Sequence, residues 1–246
     1  MIYKKIGTVK IFGIDVNKFS YNSFLQIIKE GIDNNKKLSI AYANVNSLNK
    51  IYEDENLKQI YNSFDYIHPD GIGVYIASKI LHGKNGLQER ITGSDFYNYL
   101  VVESVKNNWS LFFFGHRQDI LDEIQNAHPL IKISGTQEGY DFENPKILDK
   151  INSLNSDIII IGLSCPIQEK WMYHHKNDLN FKVMLSVGDG IKIFANKKIR
   201  GPVFMRKIGL EWFVRYCMNP VSNFRKYIIG NPLFLYRIYK GKSKSG

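Results

Sequence analysis

The chain has 246 residues, 44% hydrophobic and 13% aromatic, enough for one substantial α/β domain with an appendage and short for two full domains. Such a composition excludes a disordered polypeptide. The two cysteines, Cys165 and Cys217, make no disulfide framework, and no Cys/His spacing suggests a zinc site. Neither a metal nor a cofactor is expected, and a reducing cytoplasm fits.

The net charge of +10 is unevenly placed: residues 197–246 hold 12 of the 33 Lys+Arg and one of the 23 Asp+Glu, Glu211, so this segment is +11 and the rest is −1. A local excess of that size implies an anionic partner, whether phospholipid, diphosphate or nucleic acid. No window reaches the ~18 uncharged apolar residues of a membrane-spanning helix, so any contact with a membrane is expected from one side.

In chain order, the N-terminal stretch carries no cleavage signal, and TVKIFGIDV reads as a first strand. SFLQIIKEGI has helical spacing, LSIAYAN is a buried strand, and Ser47 to Phe64 reads as one or two helices. FDYIHP is a short strand ending at Pro69, IGVYIASKIL a helix, and SDFYNYLVVESVK a helix opened by Ser94 and Asp95. WSLFFFG, LIKISG, DIIIIGL and FKVMLSVG follow as strands, separated by helices from Asp119, near 145–155 and from Gln168. The alternation predicts a Rossmann-like parallel sheet with helices on both faces over residues 1–196. Ligands of such sheets bind outside the carboxyl ends of the strands, which directs attention to Asn44, Asp70, Gly115, Gly162 and Gly188. From about Gly201 the strands stop. Residues 197–246 read as a helical, membrane-associating appendage of two or three short helices, broken by Pro220 and Pro232, with a disordered lysine-rich end.

Several motifs sit at those strand ends. In HPDGIG, Asp70 can act as a general base, or it can be an ordinary Asp-Gly turn residue. In ERITGSD, Arg90 can reach a phosphate while Thr92, Gly93 and Ser94 offer backbone N–H groups at a helix start; a plainly capped helix is the alternative. Gln168 and Glu169 of LSCPIQEKW can meet sugar hydroxyls in the crevice, or form a first-turn polar cluster suited to the helix dipole. SVGDG resembles a phosphate loop but lacks the spacing of a dinucleotide or P-loop fingerprint. His174 and His175 read as solvated. In the tail, Arg206, Arg215 and Arg225 lie among Trp212, Phe213, Tyr216 and Phe224, a mixture suited to diphosphate and to the membrane interface.

Taken in order, Asn44, Asp70-Gly71, ERITGSD, GYDF (Gly139 to Phe142), PIQE (Pro166 to Glu169), and RGPVFMRKIGLEWFVR followed by Pro220 and Arg225 resemble the WecG/TagA/CpsF glycosyltransferases, glycosyltransferase family 26. The resemblance runs from about residue 8 to 228. It implies a metal-independent, inverting transferase that moves a sugar, often of N-acetylhexosamine type, from a UDP-sugar donor. The acceptor would be a polyprenyl-diphosphate-linked saccharide used in cell-wall or surface-polysaccharide synthesis. Asp70 matches the catalytic base and Asn44 a substrate-positioning residue, while Arg215 and Arg225 match arginines that offset charge on departing UDP. Arg90, Thr92, Gly93, Asp95, Gly162, Gln168, Glu169, Gly188, Arg200 and Arg206 are the corresponding substrate-binding candidates. The chain departs from the family pattern at Tyr42, at His116 after Gly115, at Ser186 and Lys192, and at Ser222 and Lys226. Ser222 bears on the leaving-group clamp, and the departures at Tyr42, His116, Ser186 and Lys192 on the donor sugar.

The expected setting is cytoplasmic and peripheral, on the inner face of the cell membrane, with an anionic membrane surface as partner and a homo-oligomer left open. Nucleic acid is not expected, because the arginines are interleaved with large apolar residues and prolines rather than arranged as a recognised module. The rival from another class is a non-catalytic Rossmann-like protein using its basic tail to bind nucleic acid or anionic lipid. An oxidoreductase would need a glycine fingerprint that IFGIDVNKF does not supply.

Overall fold

The computed structural model describes residues 6–243; the early lysines Lys4 and Lys5 and the last three residues of the lysine-rich end lie outside them. TVKIFGIDV, expected as one strand, is a hairpin of two: β1 (Thr8–Ile11) and β2 (Ile14–Asn17) pair antiparallel. Phe12 and Gly13 between them have φ of 51° and 86°, the mirror-image turn whose twist matches that of paired strands. Asn17 Oδ1 accepts from the Ile67 N–H at 2.7 Å, which ties this ribbon to the edge of the main sheet.

The chain then alternates as expected. After α1 (Tyr21–Asp33) come β3 (Leu38–Ala43), α2 (Val45–Glu53), α3 (Glu55–Asn62), β4 (Tyr66–Pro69), α4 (Ile72–His82) and α5 (Gly93–Lys106). They are followed by β5 (Ser110–Phe114), α6 (Gln118–Ala127), β6 (Lys132–Gln137), α7 (Asn144–Leu154), β7 (Ile158–Ile161), α8 (Ile167–His175), β8 (Val183–Ser186) and α9 (Ile191–Phe194). The sheet has the order β4-β3-β8-β7-β5-β6, and every neighbouring pair is parallel. Its inner strands are largely apolar on both sides because helices cover both faces, whereas the edge strand β6 is polar and only partly buried. The period of two is visible in the cores: Ala41, Ala43, Phe112, Phe114, Ile159 and Ile161 face one layer of helices. Their sequence neighbours Ile40, Leu111, Phe113, Ile158 and Ile160 face the other.

Three local expectations are corrected. The cap of α5 is Thr92, whose Oγ1 accepts from Asp95 N at 3.3 Å, so Ser94 and Asp95 already lie inside the helix. Pro232 does not break the tail. After α10 (Val203–Lys207), α11 (Glu211–Met218) and α12 (Pro220–Asn223), a π-helical turn (Phe224–Ile229) leads directly into α13 (Gly230–Ser243). Pro232 follows the π-helical turn by three residues, and the helix runs on through it. Lys240 and Lys242, expected to be disordered, are helical.

The tail folds back onto the body. Phe234 and Ile238 of α13 are buried in the same core as Leu48 and Ile51 of α2 and Val74 and Ala77 of α4. No helix among the described residues is long and apolar enough to cross a membrane.

Candidate active site

β3 and β4 pair in register, Ala43 beside Pro69, so the next residues, Asn44 and Asp70, emerge together at one rim of the sheet. Asn44 caps α2: its Oδ1 accepts from Ser47 N at 3.0 Å, and Ser47 Oγ accepts from Asn44 N at 2.9 Å. This reciprocal box fixes the Asn44 side chain by its oxygen and leaves the amide NH2 for other partners. Gly71 has φ of 91°, which L side chains rarely adopt. That glycine turns the chain from β4 into α4 while Asp70 stays over the strand end. Asp70 Oδ1 accepts from Gly93 N at 2.8 Å. Gly93 opens the 14-residue α5, so the carboxylate rests on the positive end of a helix.

The tail completes the enclosure. Arg90 Nη2 donates to the Arg206 carbonyl at 2.8 Å. Asp95, held by the Thr92 hydroxyl at 2.7 Å, accepts from Arg200 Nη2 at 2.7 Å and lies 3.7 Å from Arg206 Nη1. Burial by itself raises the Asp95 pKa, but Thr92, Arg200 and Arg206 outweigh it and hold the carboxyl below its ordinary value. Arg215 Nη2 donates to Glu211 Oε1 at 2.6 Å and to Ser94 Oγ at 3.3 Å. Burial opposes the charge on Arg215, yet Glu211, Tyr227 and Asp70 raise its pKa above the ordinary value, so the guanidinium stays charged.

Between body and tail lies a cavity of about 280 Å³. Asn44, Asp70, Arg90, Thr92, Arg206 and Arg215 all line it, so six of the candidates meet in one place. Val45, Ile72, Ile76, Trp212, Phe234 and Leu235 form an apolar wall beside them. A carboxylate, several cations and an apolar wall in one enclosure suit an amphiphilic, anionic substrate with a hydroxyl to be deprotonated.

The remaining candidates do not line this cavity. Gly93, Asp95 and Arg200 form a layer behind it, through Asp70, Thr92 and Glu211. Gln168 and Glu169 are wholly buried. Gln168 donates to Glu169 Oε1 at 2.7 Å and accepts from Gly188 N at 3.0 Å, while Tyr61 OH donates to Glu169 Oε1 at 3.1 Å. Burial raises the Glu169 pKa against the opposing pull of the Gln168 and Tyr61 hydrogen bonds. Gly162 and Gly188 are packing positions: a Cβ on the first would meet Ile191 at 2.7 Å, and on the second the Tyr42 hydroxyl at 2.7 Å. Arg225 and Lys226 are both exposed, but only Lys226 lines the cavity.

Comparison with known proteins matches residues 9–246 to the model of the glycosyl transferase WecG/TagA/CpsF family. The chain belongs to that family. Among its relatives is the N-acetylglucosaminyldiphosphoundecaprenol N-acetyl-beta-D-mannosaminyltransferase of Bacillus subtilis (strain 168), 28% identical over 211 residues, or 84% of this chain and 81% of the relative. The protein of the same name from Staphylococcus aureus (strain MW2) is 29% identical over 242 residues, 96% of this chain and 94% of the relative. Membership of a WecG/TagA/CpsF glycosyltransferase family makes the chain an enzyme of sugar transfer and does not favour the rival reading as a non-catalytic binding protein.

Within this WecG/TagA/CpsF chain, the charged and hydroxyl-bearing cavity residues Glu211, Lys226 and Tyr227 are among those that sequence reasoning passed over as site candidates. The signal for Glu211 was present, since it is the sole acid of a strongly basic segment.

Proposed function

We propose that the chain transfers an N-acetylhexosamine, of the N-acetylmannosamine type, from a UDP-sugar to a polyprenyl-diphosphate-linked N-acetylglucosamine, with inversion and without a metal. The names of the Bacillus subtilis and Staphylococcus aureus relatives support this choice of sugar and acceptor. The observation that carries the mechanism is the meeting of Asp70 with Arg206, Arg215 and Lys226 in one cavity. Asp70, oriented by the Gly93 N–H, takes the proton of the acceptor hydroxyl as its oxygen attacks the anomeric carbon. The bond from that carbon to the β-phosphate oxygen breaks, and UDP leaves with the electron pair. Asn44 positions the acceptor through its free amide, and the tail cations offset charge on the diphosphates. The test is transfer from UDP-N-acetylmannosamine by full-length protein, measured against Asp70→Asn. Near-normal transfer by the variant removes Asp70 as the base.

In this reading residues 1–196 are the transferase body and residues 197–246 an appendage that docks on the inner face of the cell membrane. Its exposed apolar side chains support docking: Val221 is 90% exposed, and Tyr216, Pro220, Val221 and Phe224 line an open apolar groove. Basic side chains around such a patch suit an anionic lipid surface.

A further inference from the structure

Glu211 stands alone as an acid among twelve basic residues of the tail, and it is not on the solvent side. Its side chain is only 13% exposed. The carboxylate lines the cavity, takes a hydrogen bond from Arg215 Nη2 at 2.6 Å, and lies 3.6 Å from Arg200 Nε. Arg215 follows it by one helical turn of α11, so the pair is held by the spacing of the helix. Around them, the Nε atoms of Arg200, Arg206 and Arg215 are all buried, and none has a hydrogen-bond partner among the described residues. Arg206 and Arg215 line the cavity, and a buried guanidinium N–H with nothing to donate to is costly unless an anion is to meet it. Bringing three guanidinium groups together without that anion also requires a counter-charge. Asp95 supplies it to Arg200 and Arg206; Glu211 supplies it to Arg215.

We propose that Glu211 is a positioning residue for diphosphate: it orients Arg215, which lines the cavity, so that the unused Nε–H of that guanidinium faces an incoming diphosphate. The inference rests on reading the cavity as that of a transferase with diphosphate-bearing substrates. Glu211 itself need not touch the substrate. Its carboxylate occupies one Nη of Arg215, which fixes the guanidinium plane and leaves the Nε–H free for a phosphate oxygen.

The expected effect runs opposite to plain Coulomb attraction. Removing a negative charge beside an anion site should tighten anion binding, whereas removing a positioning group should weaken it. Calorimetric titration of the full chain with inorganic diphosphate in metal-free buffer separates the two. Glu211→Gln is expected to bind diphosphate about tenfold more weakly or worse, and Glu211→Asp to recover part of the loss. In an Arg215→Gln background the further change Glu211→Gln is expected to have little effect, because the group it orients is gone. Equal or tighter binding by E211Q overturns the proposal, and so does an undiminished loss in the Arg215→Gln background. If E211Q does not fold, the comparison of wild type with E211D decides: unchanged or tighter binding by E211D overturns the proposal. Absence of sugar transfer by a wild-type protein that binds diphosphate in this Glu211-dependent way would count against the proposed function alone.

Discussion

The Gly93 N–H donates to Oδ1 of Asp70 at 2.8 Å, joining the end of β4 to the start of α5 across 23 residues of chain. One carboxylate oxygen is thereby fixed and the other left to the cavity. The position tolerates little: a Cβ on Gly93 would meet the Tyr97 hydroxyl at 2.9 Å. Gly93→Ala is expected to shift this amide and lower kcat by about tenfold or more, since small misplacements of a catalytic group are expensive. The far-UV circular dichroism should match wild type, and steady-state kinetics make the check.

Glu169 supplies a pH prediction. Burial holds its carboxyl above the ordinary value of 4.5. The folded chain keeps a proton that the unfolded chain releases, so the associated stability is full below pH 4.5 and is lost as pH rises toward the folded-state pKa. Glu169→Gln cannot ionise and keeps an acceptor for Tyr61 and Gln168. Its urea midpoint, relative to wild type, should rise as pH increases above 4.5, with kcat/KM for the donor nearly unchanged. A large loss of kcat/KM would instead make Glu169 a group that meets the sugar.

The tail is anchored by Phe234, which is 1% exposed and sits edge-on to Phe12 with ring centroids 5.7 Å apart. Phe234→Ala should cost about 3–5 kcal/mol in denaturant unfolding. Because Phe234 also walls the cavity, limited proteolysis should cut first within residues 197–243 of the variant.

Membrane docking is tested by charge. Val221→Glu with Phe224→Glu places acid on the exposed apolar groove, away from the residues around Asp70. Flotation with anionic vesicles should fall several-fold, while circular dichroism and inorganic diphosphate binding stay as in wild type. Undiminished flotation would move the docking surface elsewhere.

The parallel sheet was legible because short β-branched runs such as Ile158–Ile161 alternate with helical segments, the pattern of central strands. Asn44 and Asp70 were legible for a related reason, since both stand where a strand ends. The hairpin had left a trace as well: the buried residues Val9 and Ile11 are odd-numbered, Ile14 and Val16 even, and the phase slips at Phe12-Gly13. Gln168 and Glu169 were read toward the crevice, yet Gln168, Trp171 and Met172 form one buried stripe at helical spacing. Arg225 and Lys226 exchanged places for a reason no 3.6-residue pattern contains. A π-helical turn at Phe224–Ile229 changes the phase, and Lys226 and Tyr227 line the cavity where Arg225 does not.

The central claim is that Asp70 deprotonates an acceptor hydroxyl beside a cationic diphosphate site. It is tested most directly by single-turnover transfer from UDP-N-acetylmannosamine to an undecaprenyl-diphosphate-linked N-acetylglucosamine, with wild type and Asp70→Asn compared at saturating substrates. The account predicts a loss of about 10²–10⁴ in the transfer rate, with diphosphate binding retained. Transfer by Asp70→Asn at a rate within a few-fold of wild type would contradict it.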